Sequence, residues 1–125
     1  MIWLMHGLHL TADLRGCAAD AAPLVAPQAL RALCLQAVAA AGLQPVGELF
    51  HPFPAPGGIT GVVLLAESHL AVHTWPELGA VTLDVYVCNL GADNSAKARA
   101  LLAALEAGFA PQRVEHHEVL RGAVA

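Results

Sequence analysis

Ser68, His69 and His73 place one hydroxyl and two imidazoles within six residues. A hydroxyl beside an imidazole is the raw material of nucleophilic catalysis, because the ring can take the proton as the oxygen attacks. In an extended segment residues i and i+4 share a face, so His69 and His73 lie on one side. Ser68 then points to the other side unless the chain bends there. Spacing of this kind is also ordinary among sheet residues and by itself decides nothing. A metal reading pairs His69 with His73 and adds His116 and His117 as further ligands. Zinc needs three or four ligands with supporting partners, and the segment has strand character, so no metal is expected. Cys17, Cys34 and Cys88 form no CxxC pair and read as free thiols in a reducing compartment.

The elements that must position these groups follow from periodicity. Gly7–Leu14 alternates and reads as a first strand, and Gly16–Pro27, rich in Ala, Pro and Asp, reads as a loop. Pro27 suits a first helical turn. Leu30, Leu33, Cys34, Ala37, Val38 and Ala41 then recur at spacings of three and four, which predicts a helix with Gly42 as its cap. Val46–Phe53 is extended, and Pro52, Pro54, Pro56, Gly57 and Gly58 form an irregular loop. Ile59–Ala66 and His69–Thr74 read as strands, with Trp75-Pro76 ending the second. Val81–Val87 is the clearest strand of all. Asp93-Asn94-Ser95 offers N-caps to a second helix whose buried face is Ala98, Leu101, Leu102 and Leu105, closed by Gly108. Arg113–Leu120 is a last strand. This order predicts an α/β (α+β) two-layer sandwich, an antiparallel sheet with two helices on one face.

The 125 residues make one domain, with no linker or repeat. Hydrophobic residues reach 57% and charged residues only 13%, against about 45–50% and about 25% in typical soluble domains. A membrane span is not expected, because no apolar run reaches roughly 18 residues. Met1–Leu10 carries His6 and His9 and lacks a basic start and a small-residue cleavage site, so it does not read as a signal peptide. Several strands look apolar on both sides, which predicts a second copy packed sheet against sheet. The six basic residues are scattered and Lys97 is the one lysine, so nucleic acid is not an expected partner. The expectation is a soluble, cytoplasmic homodimer.

Glu67-Ser68-His69-Leu70-Ala71-Val72-His73-Thr74-Trp75-Pro76-Glu77 resembles the processing-site signature of the prokaryotic S-adenosylmethionine decarboxylases. The likeness extends over nearly the whole chain. It includes Gly7-Leu8-His9-Leu10 with Gly16-Cys17, and Phe50-His51-Pro52-Phe53 with Gly61-Val62-Val63. It continues through Asp84-Val85-Tyr86-Val87-Cys88, Arg113-Val114-Glu115 and Arg121-Gly122. The resemblance implies a proenzyme that cuts itself between Glu67 and Ser68. Ser68 attacks the Glu67 carbonyl, an uphill shift that calls for a strained turn. Thr60 stands where the family has a processing serine that stabilises the oxyanion. His73 matches the histidine that takes the α-proton of Ser68. The product is a covalent pyruvoyl group that forms a Schiff base with a substrate amine and accepts electrons as CO₂ leaves, with no pyridoxal phosphate. Cys88 matches the proton donor; without the resemblance it reads as a small buried hydrophobe.

The resemblance further implies that Phe53 stacks on adenine and that Glu77 meets the substrate's charge or caps a turn. Phe53 reads equally as a core aromatic. Three departures lie on the substrate side. Leu78-Gly79-Ala80 replaces an aromatic-glycine-aromatic run, Asn89 replaces a glycine, and Pro52 replaces an arginine. S-adenosylmethionine is the expected substrate, leading to spermidine, with ornithine or arginine as alternatives from relatives with altered pockets. An uncut, non-catalytic binding partner of an active paralogue is the alternative of another class.

Overall fold

The computed structural model describes residues 6–122. The part of the Met1–Leu10 reading that falls on residues 1–5 lies outside the described residues. Six strands, β1 (Gly7–Arg15), β2 (Pro45–Pro52), β3 (Ile59–Leu65), β4 (Ser68–Trp75), β5 (Ala80–Cys88) and β6 (Arg113–Arg121), form one sheet. Their order is β2-β3-β4-β5-β1-β6 and every neighbouring pair is antiparallel. Alternation dictates which face is covered. Leu8, Leu10, Ala12 and Leu14 of β1, Leu70 and Val72 of β4, and Val81, Leu83, Val85 and Val87 of β5 are all at most 3% exposed. They form a core with Leu30, Cys34 and Val38 of helix α2 (Pro27–Ala40) and Leu101, Leu105 and Phe109 of helix α3 (Ser95–Phe109). The expected two-layer antiparallel architecture is present.

The structure corrects four details. The expected loop Gly16–Pro27 contains a short helix, α1 (Ala22–Val25), so the helix layer has three members. Thr74 explains its place: the buried hydroxyl donates to the Leu24 carbonyl at 2.8 Å and accepts from the Ile59 N–H at 2.9 Å. Gly108 does not close α3, which runs to Phe109, with Ala110 in the left-handed region at φ +48. Gly108 has a packing role, since a Cβ there would stand 2.4 Å from Leu33 of α2. Asn94 stands at the N-cap of α3 but makes no side-chain cap bond. Finally, β1, β4 and β5 are not apolar on both sides. Their open face carries His9, Thr11, Asp13, His69, His73, Thr82, Asp84 and Tyr86, all partly exposed, and the apolar residues Val62, Leu64 and Leu49 lie toward β2. Among the described residues no helix is long and apolar enough to cross a membrane.

Candidate active site

Strands β3 and β4 are joined by a two-residue turn, Ala66-Glu67, with Leu65 paired to Ser68. Glu67 has φ +57. Tight hairpins place Gly, Asn or Asp in such positions, because a Cβ there crowds the following carbonyl at a cost of roughly 1–2 kcal/mol. The strain expected before Ser68 is therefore present in the backbone. Ser68 is half-buried, and its Oγ accepts the main-chain N–H of Cys88 at 3.2 Å. Twenty residues of sequence separate the two, and the β4–β5 register closes the gap: His69 faces Tyr86, so the start of β4 meets the end of β5. The Cys88 thiol is free and half-buried.

The remaining candidates gather elsewhere. Thr60 pairs with His73 across β3 and β4, and Thr60 Oγ1 shares a 3.0 Å hydrogen bond with His73 Nδ1. With Phe53 and Glu77 they line one cavity of about 200 Å³, and Trp75 lies tilted against His73 with ring centroids 5.9 Å apart. A wider groove of about 430 Å³ continues past Phe53 and Glu77 to Val25 and Pro76. Phe53 is half-exposed, so the core-aromatic reading fails. The candidate residues thus form two clusters at opposite ends of β4. His73 is five residues from Ser68, about 17 Å along a strand, so one chain does not bring them together. His69 and His73 do share the open face, but four strand residues put them about 13 Å apart, too far for one metal ion. His116 faces the helix layer, where it pairs with Glu106, and His117 lies beside Glu115 and Asp13.

A family profile described as S-adenosylmethionine decarboxylase matches residues 8–122. The chain belongs to the S-adenosylmethionine decarboxylase family. It is 40% identical over 118 residues to the S-adenosylmethionine decarboxylase proenzyme of Persephonella marina, covering 94% of this chain and 84% of that one. The proenzyme of the same name from Archaeoglobus fulgidus is 36% identical over 119 residues, covering 95% and 100%. The crystal structure of the adenosylmethionine decarboxylase from Aquifex aeolicus matches with a TM-score of 0.85 at 37% identity, over 95% of this chain and 92% of that one. A decarboxylase on an antiparallel two-layer fold is therefore the enzyme class and architecture of this chain.

Two groups escaped the sequence reading of this S-adenosylmethionine decarboxylase family member. Trp75 reads in sequence as a strand end, yet its ring lies tilted against His73. On the open face near Ser68, Tyr86 stacks on His69 at 5.7 Å, and His9 Nε2 lies 3.2 Å from Asp84 Oδ1. Gly7 makes room for this cluster, since a Cβ there would stand 2.3 Å from the Tyr86 hydroxyl. Alternation along β1, β4 and β5 carried the signal: His9, His69, Asp84 and Tyr86 all fall on the face opposite the leucines and valines.

Proposed function

We propose that this chain is a proenzyme that cuts itself between Glu67 and Ser68, converts Ser68 into a covalent pyruvoyl group and decarboxylates S-adenosylmethionine. The observation that carries the reading is the junction itself. A non-glycine residue in the left-handed region directly precedes a hydroxyl oxygen that already accepts a main-chain N–H. Strain in the turn offsets part of the uphill step in which Ser68 Oγ attacks the Glu67 carbonyl carbon, the C–N bond breaks and the amine takes the proton. A base then removes the α-proton of residue 68, the Glu67 carboxylate leaves, and the dehydroalanine so formed takes up water and releases ammonia. The residues present fit the resulting group, because position 68 is half-buried with the Cys88 N–H on its oxygen, and Cys88 carries a free, half-buried thiol. When formed, a pyruvoyl carbonyl condenses with a substrate α-amine and accepts the electron pair as CO₂ leaves. Cys88 returns a proton to the α-carbon.

His73 is the assigned base and Thr60 the oxyanion donor, and the separation along β4 supports a site shared by two copies. A two-fold axis lying between two facing sheets and running across their strands sets the Ser68 end of one chain over the His73 end of the other. Facing sheets pack about 10 Å apart, within reach of interdigitating side chains. Val62, Leu64 and Leu49 offer the apolar part of such an interface. Phe53 and Glu77 then supply a flat ring for a base and a carboxylate for a hydroxyl or a cation, which suits a nucleoside sulfonium; the names of the relatives support the same substrate. Intact mass under denaturing conditions tests the cut. Chains 1–67 and 68–125 are expected, the second with a blocked N-terminus, and Ser68→Ala should leave the chain whole. A parent chain that stays uncut on long incubation overturns the reading in favour of a non-catalytic partner. Release of CO₂ from ornithine or arginine, and none from S-adenosylmethionine, overturns the substrate alone.

A further inference from the structure

Asn94 occupies the N-cap of α3, a position where an asparagine side chain normally accepts a main-chain N–H of its own helix. Here it does not. Its Nδ2 instead donates to the Cys88 carbonyl at 2.9 Å, while the Cys88 N–H is given to Ser68 Oγ at 3.2 Å. Both main-chain polar groups of Cys88 are thus held by side chains, the N–H by Ser68 and the carbonyl by Asn94. The start of α3 is served by other residues. Asn89 Oδ1 accepts the Asn94 N–H at 2.7 Å, Asn89 Nδ2 donates to Ser95 Oγ at 3.1 Å, and Asp93 Oδ1 accepts the Ser95 N–H at 2.9 Å. We infer that Asn94 is a positioning residue: it locks the Cys88 peptide so that its N–H meets Ser68 Oγ, and so fixes the backbone that carries the thiol. Ser68 Oγ gains negative charge when the Glu67 carboxylate leaves in the elimination that parts the chains, and a fixed N–H on it lowers that barrier without reorganisation. A side chain turned from its own helix to the Cys88 carbonyl serves the peptide that meets Ser68. This inference rests on the self-cleavage reading.

The test uses the full chain. Asn94→Asp keeps the shape but puts an oxygen where the donor was. Asn94→Ser retains a favourable N-cap residue, which protects folding, but is too short to reach the Cys88 carbonyl. Both should lengthen the cleavage half-time, read by intact mass, by about 10- to 100-fold. Asp93→Ala removes a different bond from the same helix start and should cleave at the parent rate. In the uncut Ser68→Ala background, Asn94→Asp should speed alkylation of Cys88 by iodoacetamide severalfold, with an unchanged circular dichroism spectrum. Parent-rate cleavage in both Asn94 variants, or equal slowing by Asp93→Ala, overturns the inference. If the parent chain itself never cuts, the proposed function falls separately. Alkylation then decides alone, and an unchanged Cys88 rate in Asn94→Asp overturns the positioning role.

Discussion

At the scale of single residues, burial sorts the three thiols. Cys34 is fully enclosed between α2 and the sheet, and burial, reinforced by the Glu48 carboxylate, pushes its thiol up to about 12. Burial also raises Cys17. The thiolate is the reactive form, so burial holds both back at neutral pH, and Cys88 remains as the half-buried thiol. Native alkylation followed by peptide mapping should label Cys88 first and Cys34 only on unfolding. Cys34 also gives stability a slope at alkaline pH. The unfolded chain loses this proton near 9.0 while the folded chain keeps it to about 12, so the unfolded state binds fewer protons and stability falls as pH rises between those values. A Cys34→Ala variant should show a lower urea midpoint at neutral pH and a shallower decline above about pH 9. An identical decline in parent and variant would assign the slope to other groups.

At the scale of elements, the sheet was legible because its strands obey a period of two, and α2 because its apolar residues obey spacings of three and four. The failures have local causes. Four residues of α1 are too few to show a period, and the element is held by Thr74, a contact spanning fifty residues. Gly108 looked like a helix end, but it is a close-packing position against Leu33 and the helix continues past it. Thr74→Val keeps shape and removes the hydroxyl, leaving the Leu24 carbonyl and the Ile59 N–H buried without this partner. The expected loss is about 2–4 kcal/mol by urea unfolding, since each orphaned buried group costs roughly 1–3 kcal/mol. Thr74→Ser should lose less than half of that. Because Ile59 and Thr74 line the cavity that holds His73, the Val variant should also cleave more slowly.

At the scale of the whole molecule, the two clusters at the ends of β4 turn the proposed dimer into a requirement for cleavage. The prediction is complementation. His73→Ala and Ser68→Ala chains should each stay whole when made alone. Mixed dimers contain one site with Ser68 from the first and His73 from the second, so co-expression should cut the His73→Ala chain and leave the Ser68→Ala chain intact. Mass resolves the two. No cut chain from co-expressed variants, in protein shown to be dimeric by size-exclusion chromatography with light scattering, would place the base within the same chain or on another residue.

Sequence alone determined the layers and the set of groups with chemistry to offer, because these depend on local period and residue type; the strained turn before Ser68 came from the family resemblance. It also placed His69 and His73 on one face, since alternation is a property of any strand. The tertiary structure decided which groups meet. A strand advances about 3.3 Å per residue, so five residues of proximity in sequence put His73 far from Ser68. Antiparallel pairing of β4 with β5 brought Cys88, twenty residues away, to the serine. Asn94 was legible as a helix start, but its side chain serves another strand because the end of β5 left a carbonyl within its reach. Such a choice depends on where two chain segments cross, and no local pattern encodes it.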